Sequence, residues 1–258
     1  MRDPGLSEAL RVVGGVSELA RKIGISQPSI SNWTRVPVER VREVEAATGI
    51  SRAILRPDLY ENGASTDWAD DVDAARAQEY ALLAALLARA PDGDLLDRLA
   101  KLRGDASPLG MAYVALAEAA QRTTAERVQR EYFDLFIGLG RGELLPYGSY
   151  YLTGFLHERP LQRLRQDLEP LGIKRAAGNI EPEDHAAILC EVMAGLAGGR
   201  FAAPQGSDRQ MFERHLKPWM GRFFADLERA EAADFYARVG TLGRLFMEIE
   251  TEAFALPA

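Results

Sequence analysis

The sequence predicts an all-α protein, and two observations carry the prediction. Apolar residues recur at spacings of three and four along most of the chain, as on the buried face of a helix. No segment shows sustained apolar–polar alternation with β-branched enrichment, so almost no sheet is expected. The 258 residues suit one large domain or two modest ones. Apolar residues make up 47% and charged residues 27%, enough for a packed core and unlike a disordered chain.

The first clear elements lie between Val16 and Arg35. A helix capped by Ser17 is expected to run to about Ile23, with Leu19 and Ala20 facing inward. Gly24 stops it, because glycine takes a positive φ without steric cost. Ser26 is expected to cap a second helix opened by Gln27 and Pro28. Pro28 is tolerated there because first-turn amides have no intrahelical partner. Ile30 and Trp33 point inward. Two short helices crossing at a glycine turn make a helix-turn-helix. Its outward residues are Gln27, Ser29, Ser31 and Asn32, with Arg35 just beyond. Gln and Asn can bond adenine bidentately in the major groove, and Ser and Arg suit phosphates.

A polar stretch without apolar period, Glu61-Asn62-Gly63-Ala64-Ser65-Thr66-Asp67, marks a boundary. The expected division is a head at 1–60, a linker at 61–74 and a body at 75–258. The body reads as helix almost throughout. Tyr80, Leu83 and Leu87 form one stripe; Leu95, Leu99 and Leu102 form a second; Val128, Tyr132 and Leu135 form a third. Phe235, Val239, Leu242, Phe246 and Ile249 alternate four and three near the C-terminus. Gly138 to Gly148, with four glycines and Pro146, reads as a mid-domain loop, and Gly198 to Ser207 as another. Charge divides with the domains. The head carries nine Arg/Lys against seven Asp/Glu, the remainder 22 against 31. A mildly basic head on an acidic body suggests partners of opposite sign.

The inventory speaks against catalysis. His157, His185 and His215 lie in separate segments, and none forms H-E-x-x-H. The single cysteine, Cys190, excludes an intramolecular disulfide and reads as a core thiol. Gly138-Leu139-Gly140-Arg141-Gly142 follows no strand and lacks the last glycine of a dinucleotide loop. Ser149 is not in a G-x-S-x-G context. No enzyme, no metal site and no cofactor are expected. The longest apolar run, Tyr80 to Ala88, has nine residues, too few to cross a bilayer. The first eight residues carry no apolar signal stretch, so the expected location is cytoplasmic.

Two constellations point to binding. Leu144-Leu145-Pro146-Tyr147-Gly148-Ser149-Tyr150-Tyr151-Leu152 sets three tyrosines around a loop-to-helix junction, offering flat apolar faces with hydroxyl handles. The plainer reading of Tyr150 and Tyr151 is core packing at a helix start. Glu181-Pro182-Glu183-Asp184-His185 precedes Ile188, Leu189, Val192, Met193 and Leu196. Pro182, Glu183 and Asp184 have the chemistry of a helix N-terminus, which alone accounts for much of the motif. Glu181, Asp184 and His185 are spaced to share one helix face, and two carboxylates beside an imidazole can receive arginines.

The head resembles the Cro-like helix-turn-helix family. With Arg35-Val36-Pro37, Val41, Ala47-Thr48-Gly49 and Leu55-Arg56-Pro57-Asp58-Leu59-Tyr60 it is similar, over about residues 6–60, to YdaS-type antitoxin or repressor domains. The resemblance implies that Gln27, Ser29, Asn32 and Arg35 face DNA; Pro28 stands where such domains often place a polar base-reader. The body resembles the TorD/DmsD family of molybdoenzyme maturation chaperones over roughly residues 75–258. Glu181 to His185 is similar to that family's hinge motif. Tyr132-Phe133-Asp134-Leu135-Phe136 with Leu145 to Leu152 is similar to its mid-domain signature. The resemblance implies a non-catalytic cytoplasmic chaperone. Such a chaperone binds the twin-arginine signal peptide and apo-form of a molybdenum-cofactor oxidoreductase until the cofactor is inserted, before export. It implies Tyr147, Ser149, Tyr150, Tyr151, Glu181, Asp184 and His185 as client-binding residues. One position departs: Gly148 stands where an acidic residue is common. Gly142 to Gly154 resembles the branch associated with formate dehydrogenases. The alternative is a transcription factor whose helical body senses a ligand.

Overall fold

The computed structural model describes residues 3–57, 68–174, 181–201 and 203–255. The chain divides into two compact units, Met1–Asp71 and Val72–Ala258. Among the described residues there is no strand, as an all-α sequence should give.

The first unit holds α1 (Pro4–Val13), α2 (Val16–Ile23), α3 (Gln27–Ser31), a 3-10 turn (Val38–Arg40), α4 (Val41–Thr48) and α5 (Arg52–Leu55). The helix α1 has two end signals in sequence. Asp3 accepts the Leu6 N–H at 2.8 Å, and Pro4 opens the first turn. The core of the unit joins Leu6, Leu19, Ile30, Val36, Val44 and Leu55, all fully buried. Gly24 ends α2 at φ 71° as expected. Two caps differ from expectation. The close join Gly14-Gly15 starts α2 at Val16, so Ser17 lies inside it. The Ser26 hydroxyl bonds the Ser29 hydroxyl at 2.8 Å, not a backbone amide.

The second unit is built on α6 (Trp68–Ala88), α7 (Gly93–Leu99), α8 (Pro108–Arg122), α9 (Ala125–Tyr132) and α10 (Gly148–Thr153). It continues with α11 (Arg159–Leu168), α12 (Ala186–Ala197), α13 (Ser207–Met211), α14 (Met220–Arg229) and α15 (Phe235–Ala255). π-helical turns, Phe133–Ile137 and Phe212–Leu216, extend α9 and α13. Of the expected linker, residues 61–67 lie outside the described residues, and 68–74 are already helical in α6. Acidic residues favour a helix start, and Asp73 is tied to Arg76 at 2.8 Å.

The long helix α15 packs against α14 and α8 around a single core. Phe235, Val239, Leu242 and Phe246 are buried. Ile249 is 44% exposed, and Glu250, one residue on, is 1% exposed. The stripe turns with the 3.6-residue period, and an ion pair takes the place of the last apolar side chain. The second stripe also ends early, because α7 stops at Leu99 and leaves Leu102 partly buried beyond it. Each fully buried Leu or Phe contributes roughly 1.5–3 kcal/mol relative to exposure. No helix among the described residues is long and apolar enough to cross a membrane.

Candidate functional site

The two singled-out segments of the body meet. The Gly148 N–H donates to the Asp184 carbonyl at 2.9 Å, and the Ala186 N–H donates to the Pro146 carbonyl at 2.8 Å. Tyr147 and His185 are thus paired antiparallel. This pairing corrects the expected helix start. Residues 181–185 form a turn closed by the His185 N–H on the Pro182 carbonyl at 3.0 Å, and α12 begins only at Ala186. Backbone groups used across the pair are not available to a helix ladder. Glu181, Asp184 and His185 therefore do not share a helix face.

Tyr147, Glu181 and His185 form one cluster. The Tyr147 hydroxyl donates to Glu181 Oε2 at 2.6 Å, and its ring meets the His185 ring edge-on, centroids 5.1 Å apart. Burial and the Glu181 carboxylate push the Tyr147 hydroxyl well above the usual tyrosine range. His185 Nδ1 accepts the Ala187 N–H at 3.1 Å and so caps α12. Glu181 and His185 line a groove of about 480 Å³. Its α6 side is made of Ala81, Ala84, Ala85 and Ala88, and Ile188 contributes from α12. Arg89, Glu191 and Arg200 also line it. The alanines are legible in sequence as a small-residue stripe at helical spacing, but only the fold shows that they face the motif.

Asp184 points elsewhere. It is 3% exposed, and its Oδ2 accepts the Ser149 N–H at 2.7 Å in the first turn of α10. Ser149 is wholly buried, and neither Ser149 Oγ nor Asp184 Oδ1 has a hydrogen-bond partner among the described residues. Asp184 lines a second cavity of about 360 Å³ with Gly148, Arg163, Arg214 and Trp219. A Cβ at Gly148 would sit 3.0 Å from Trp219 Nε1, so the indole occupies the space that an acidic side chain would need. Glu183 pairs with Arg165 of α11 at 2.7 Å.

Tyr150 and Tyr151 belong to a third place. Arg141 donates to the Tyr150 hydroxyl at 2.8 Å and lies over its ring. The Tyr151 hydroxyl donates to Asp226 at 3.0 Å, with its ring against Trp219 and Phe223. Arg222 also lies over the Tyr151 ring and donates to the Tyr151 carbonyl. The fold thus brings Tyr147, Glu181 and His185 together, sets Ser149 and Asp184 inside, and packs Tyr151 on the core. In the first unit, Gln27, Ser29, Asn32 and Arg35 are all exposed, with Asn32 at the C-terminal end of α3. No cluster of three metal-ligating side chains occurs among the described residues.

Two family models match separate parts of the chain. A family model described as nitrate reductase delta subunit matches residues 102–225. One described as bacterial toxin YdaS matches residues 6–63. Chaperone protein TorD of Vibrio cholerae is 28% identical over 127 residues, 46% of this chain and 58% of that protein. The chain therefore spans about three-fifths of the length of that curated relative. The candidate transcriptional regulator YdaS of Escherichia coli strain K12 is 40% identical over 58 residues, 20% of this chain and 59% of that protein. A crystal structure of a candidate redox enzyme maturation protein from Archaeoglobus fulgidus has a TM-score of 0.48 at 21% identity, covering 67% of this chain and 93% of that one. The relatives are named as chaperones and a regulator, not as catalysts.

Proposed function

We propose, for a chain that belongs to the TorD family in its body and to the YdaS family in its head, a non-catalytic chaperone role in redox-enzyme maturation. The body binds the twin-arginine signal peptide and apo-form of a molybdenum-cofactor oxidoreductase in the cytoplasm and holds it until the cofactor is inserted. The observation that carries this reading is the groove in which Glu181 and His185 stand beside the alanines of α6. A twin-arginine peptide is two guanidinium groups followed by an apolar stretch. Glu181 and Glu191 supply carboxylates, and Ala84, Ala85, Ala88 and Ile188 supply an apolar floor that admits a helix or extended chain. Tyr147 holds Glu181 in place. Ser149 and Asp184 act beneath the surface, fixing α10 against the motif. The resemblance of Gly142 to Gly154 narrows the client to a formate dehydrogenase.

The head binds DNA through Gln27, Ser29, Asn32 and Arg35, and reports to transcription whether the body holds a client. The exposure of all four residues on or beside α3 supports this. A pull-down of the full chain from its host, with mass spectrometry, tests the reading. Recovery of a molybdoenzyme precursor that retains its twin-arginine peptide is expected. Recovery of DNA-associated proteins alone, with the molybdoenzyme expressed, would favour a transcription factor with a ligand-sensing body.

A further inference from the structure

We infer that His185 binds no arginine of the client: it donates a hydrogen bond from Nε2–H to a backbone carbonyl of the bound peptide. The inference rests on the peptide-binding reading above and assigns the chemistry of one group within it. His185 Nδ1 accepts the Ala187 N–H at 3.1 Å, so that nitrogen presents its lone pair to the helix. A neutral imidazole with a lone pair on one nitrogen carries its proton on the other. Nε2 has no hydrogen-bond partner among the described residues, and the ring lines the groove.

The cationic form does not fit. An imidazolium has a proton on both nitrogens and cannot cap α12. Burial lowers the His185 pKa below its ordinary 6.5 against the pull of Glu181 and Asp184. The other charged and titratable groups lining the groove are Arg89 beyond the end of α6, Tyr132 from α9, Glu191 from α12, and Arg200.

A guanidinium offers only donors, so a ring whose open nitrogen also donates has nothing to accept from it. The ring needs an acceptor. A carboxylate there would stand beside Glu181, which is close enough to act on the ring, although Arg89 and Arg200 also line the groove. An uncharged carbonyl oxygen avoids that repulsion, and an extended peptide laid along the alanines carries one at every residue. Within the cluster, Glu181 then takes a guanidinium and His185 takes the main chain beside it. Affinity from the main-chain contact is indifferent to side-chain identity, whereas the carboxylate selects arginine.

The test uses the full chain labelled with nitrogen-15 and a synthetic twin-arginine signal peptide. Long-range proton–nitrogen spectra at about pH 7.5 should show the His185 proton on Nε2 and an unprotonated Nδ1. Adding peptide should move the Nε2–H signal downfield and slow its exchange. His185→Asp keeps an oxygen to cap α12 and adds negative charge, but removes the donor. It should weaken peptide binding about tenfold, despite that added charge. A proton on Nδ1, an Nε2–H signal unmoved by saturating peptide, or an aspartate variant that binds as well as wild type would each overturn the inference. Failure of the wild-type chain to bind peptide at all would remove the underlying reading and the inference with it. That outcome is distinguished by the wild-type titration alone.

Discussion

Arg76 holds Glu250 through two parallel bonds, Nε to Oε1 at 2.7 Å and the second guanidinium nitrogen to Oε2 at 2.9 Å. The pair joins α6 to α15, and the Tyr80 hydroxyl adds a third bond to the same carboxylate at 2.9 Å. Asp73 and Asp208 complete the set around the guanidinium. Removing the arginine leaves a buried carboxylate without its counter-charge. Arg76→Ala should therefore destabilise the chain by about 3–5 kcal/mol. Denaturant unfolding reads this directly. A loss below about 1 kcal/mol would mean that the carboxylate is solvated in solution.

Glu79 gives a stability effect of opposite sense. Its carboxyl is buried on α6, receives the Tyr113 hydroxyl, and leaves Oε1 without a partner among the described residues. Burial raises its pKa from 4.5 to about 7, although the tyrosine bond lowers it. The folded state thus binds a proton that the unfolded state has released. The resulting stability contribution is present at low pH and falls as pH rises from about 4.5 through 7. Glu79→Gln should stabilise the chain by about 1–3 kcal/mol at pH 8 and change little near pH 4. Thermal melts at both pH values decide it; equal shifts at both would contradict the burial argument.

The histidines reverse that sign. Burial lowers His185 and His215 below their ordinary 6.5, although Glu181 and Asp184 pull the first upward and Asp167 the second. The unfolded state then binds the extra protons. Stability from these two groups is complete above about 6.5 and is lost as pH falls through their folded values. His185→Asn and His215→Asn should each flatten the acid limb of a stability–pH curve. A limb unchanged in both variants would place the transition in the carboxylates.

Peptide binding should depend on both the charge and the floor of the groove. Glu181→Gln should weaken a twin-arginine peptide about tenfold, and raising salt should weaken wild type more than the variant. Ala85→Leu should weaken the peptide by filling the groove from an exposed position, with little change in melting temperature. Fluorescence anisotropy with a labelled peptide measures both. Salt-independent affinity in wild type would sink the guanidinium–carboxylate contact.

Restoring an acidic residue at 148 should not restore an arginine partner. The Trp219 indole already fills that space. Gly148→Asp should cost about 1–3 kcal/mol in stability through overpacking. A stable single variant with tighter peptide binding would refute this account.

Much of the fold was legible because helical periodicity is a local signal. Tyr80, Leu83, Leu87, Phe235 and Val239 are buried as their spacing predicts. The site was legible in composition but not in geometry. Pro182, Glu183 and Asp184 have the chemistry of a helix start, yet partners from Pro146 and Gly148 hold them outside the helix. Such a partner is non-local, so no window around residue 182 contains it. The same holds for Asp184, whose acidic side chain reads as a surface group until Ser149 is seen to cover it. The alanines of α6 gave a local signal without a meaning, since a small residue is informative only once its neighbour is known.

The pairing of residues 146–148 with 184–186 makes two distant stretches into one unit of variation. A single-residue insertion on either side of Tyr147 would slide the carbonyls past their amides and turn His185 away from the tyrosine ring. A compensating insertion on the other side would be needed to bring them back. Sequences descended from a common ancestor should therefore tolerate length changes between the two stretches far more readily than within either. Any shift inside one should appear together with an answering shift inside the other.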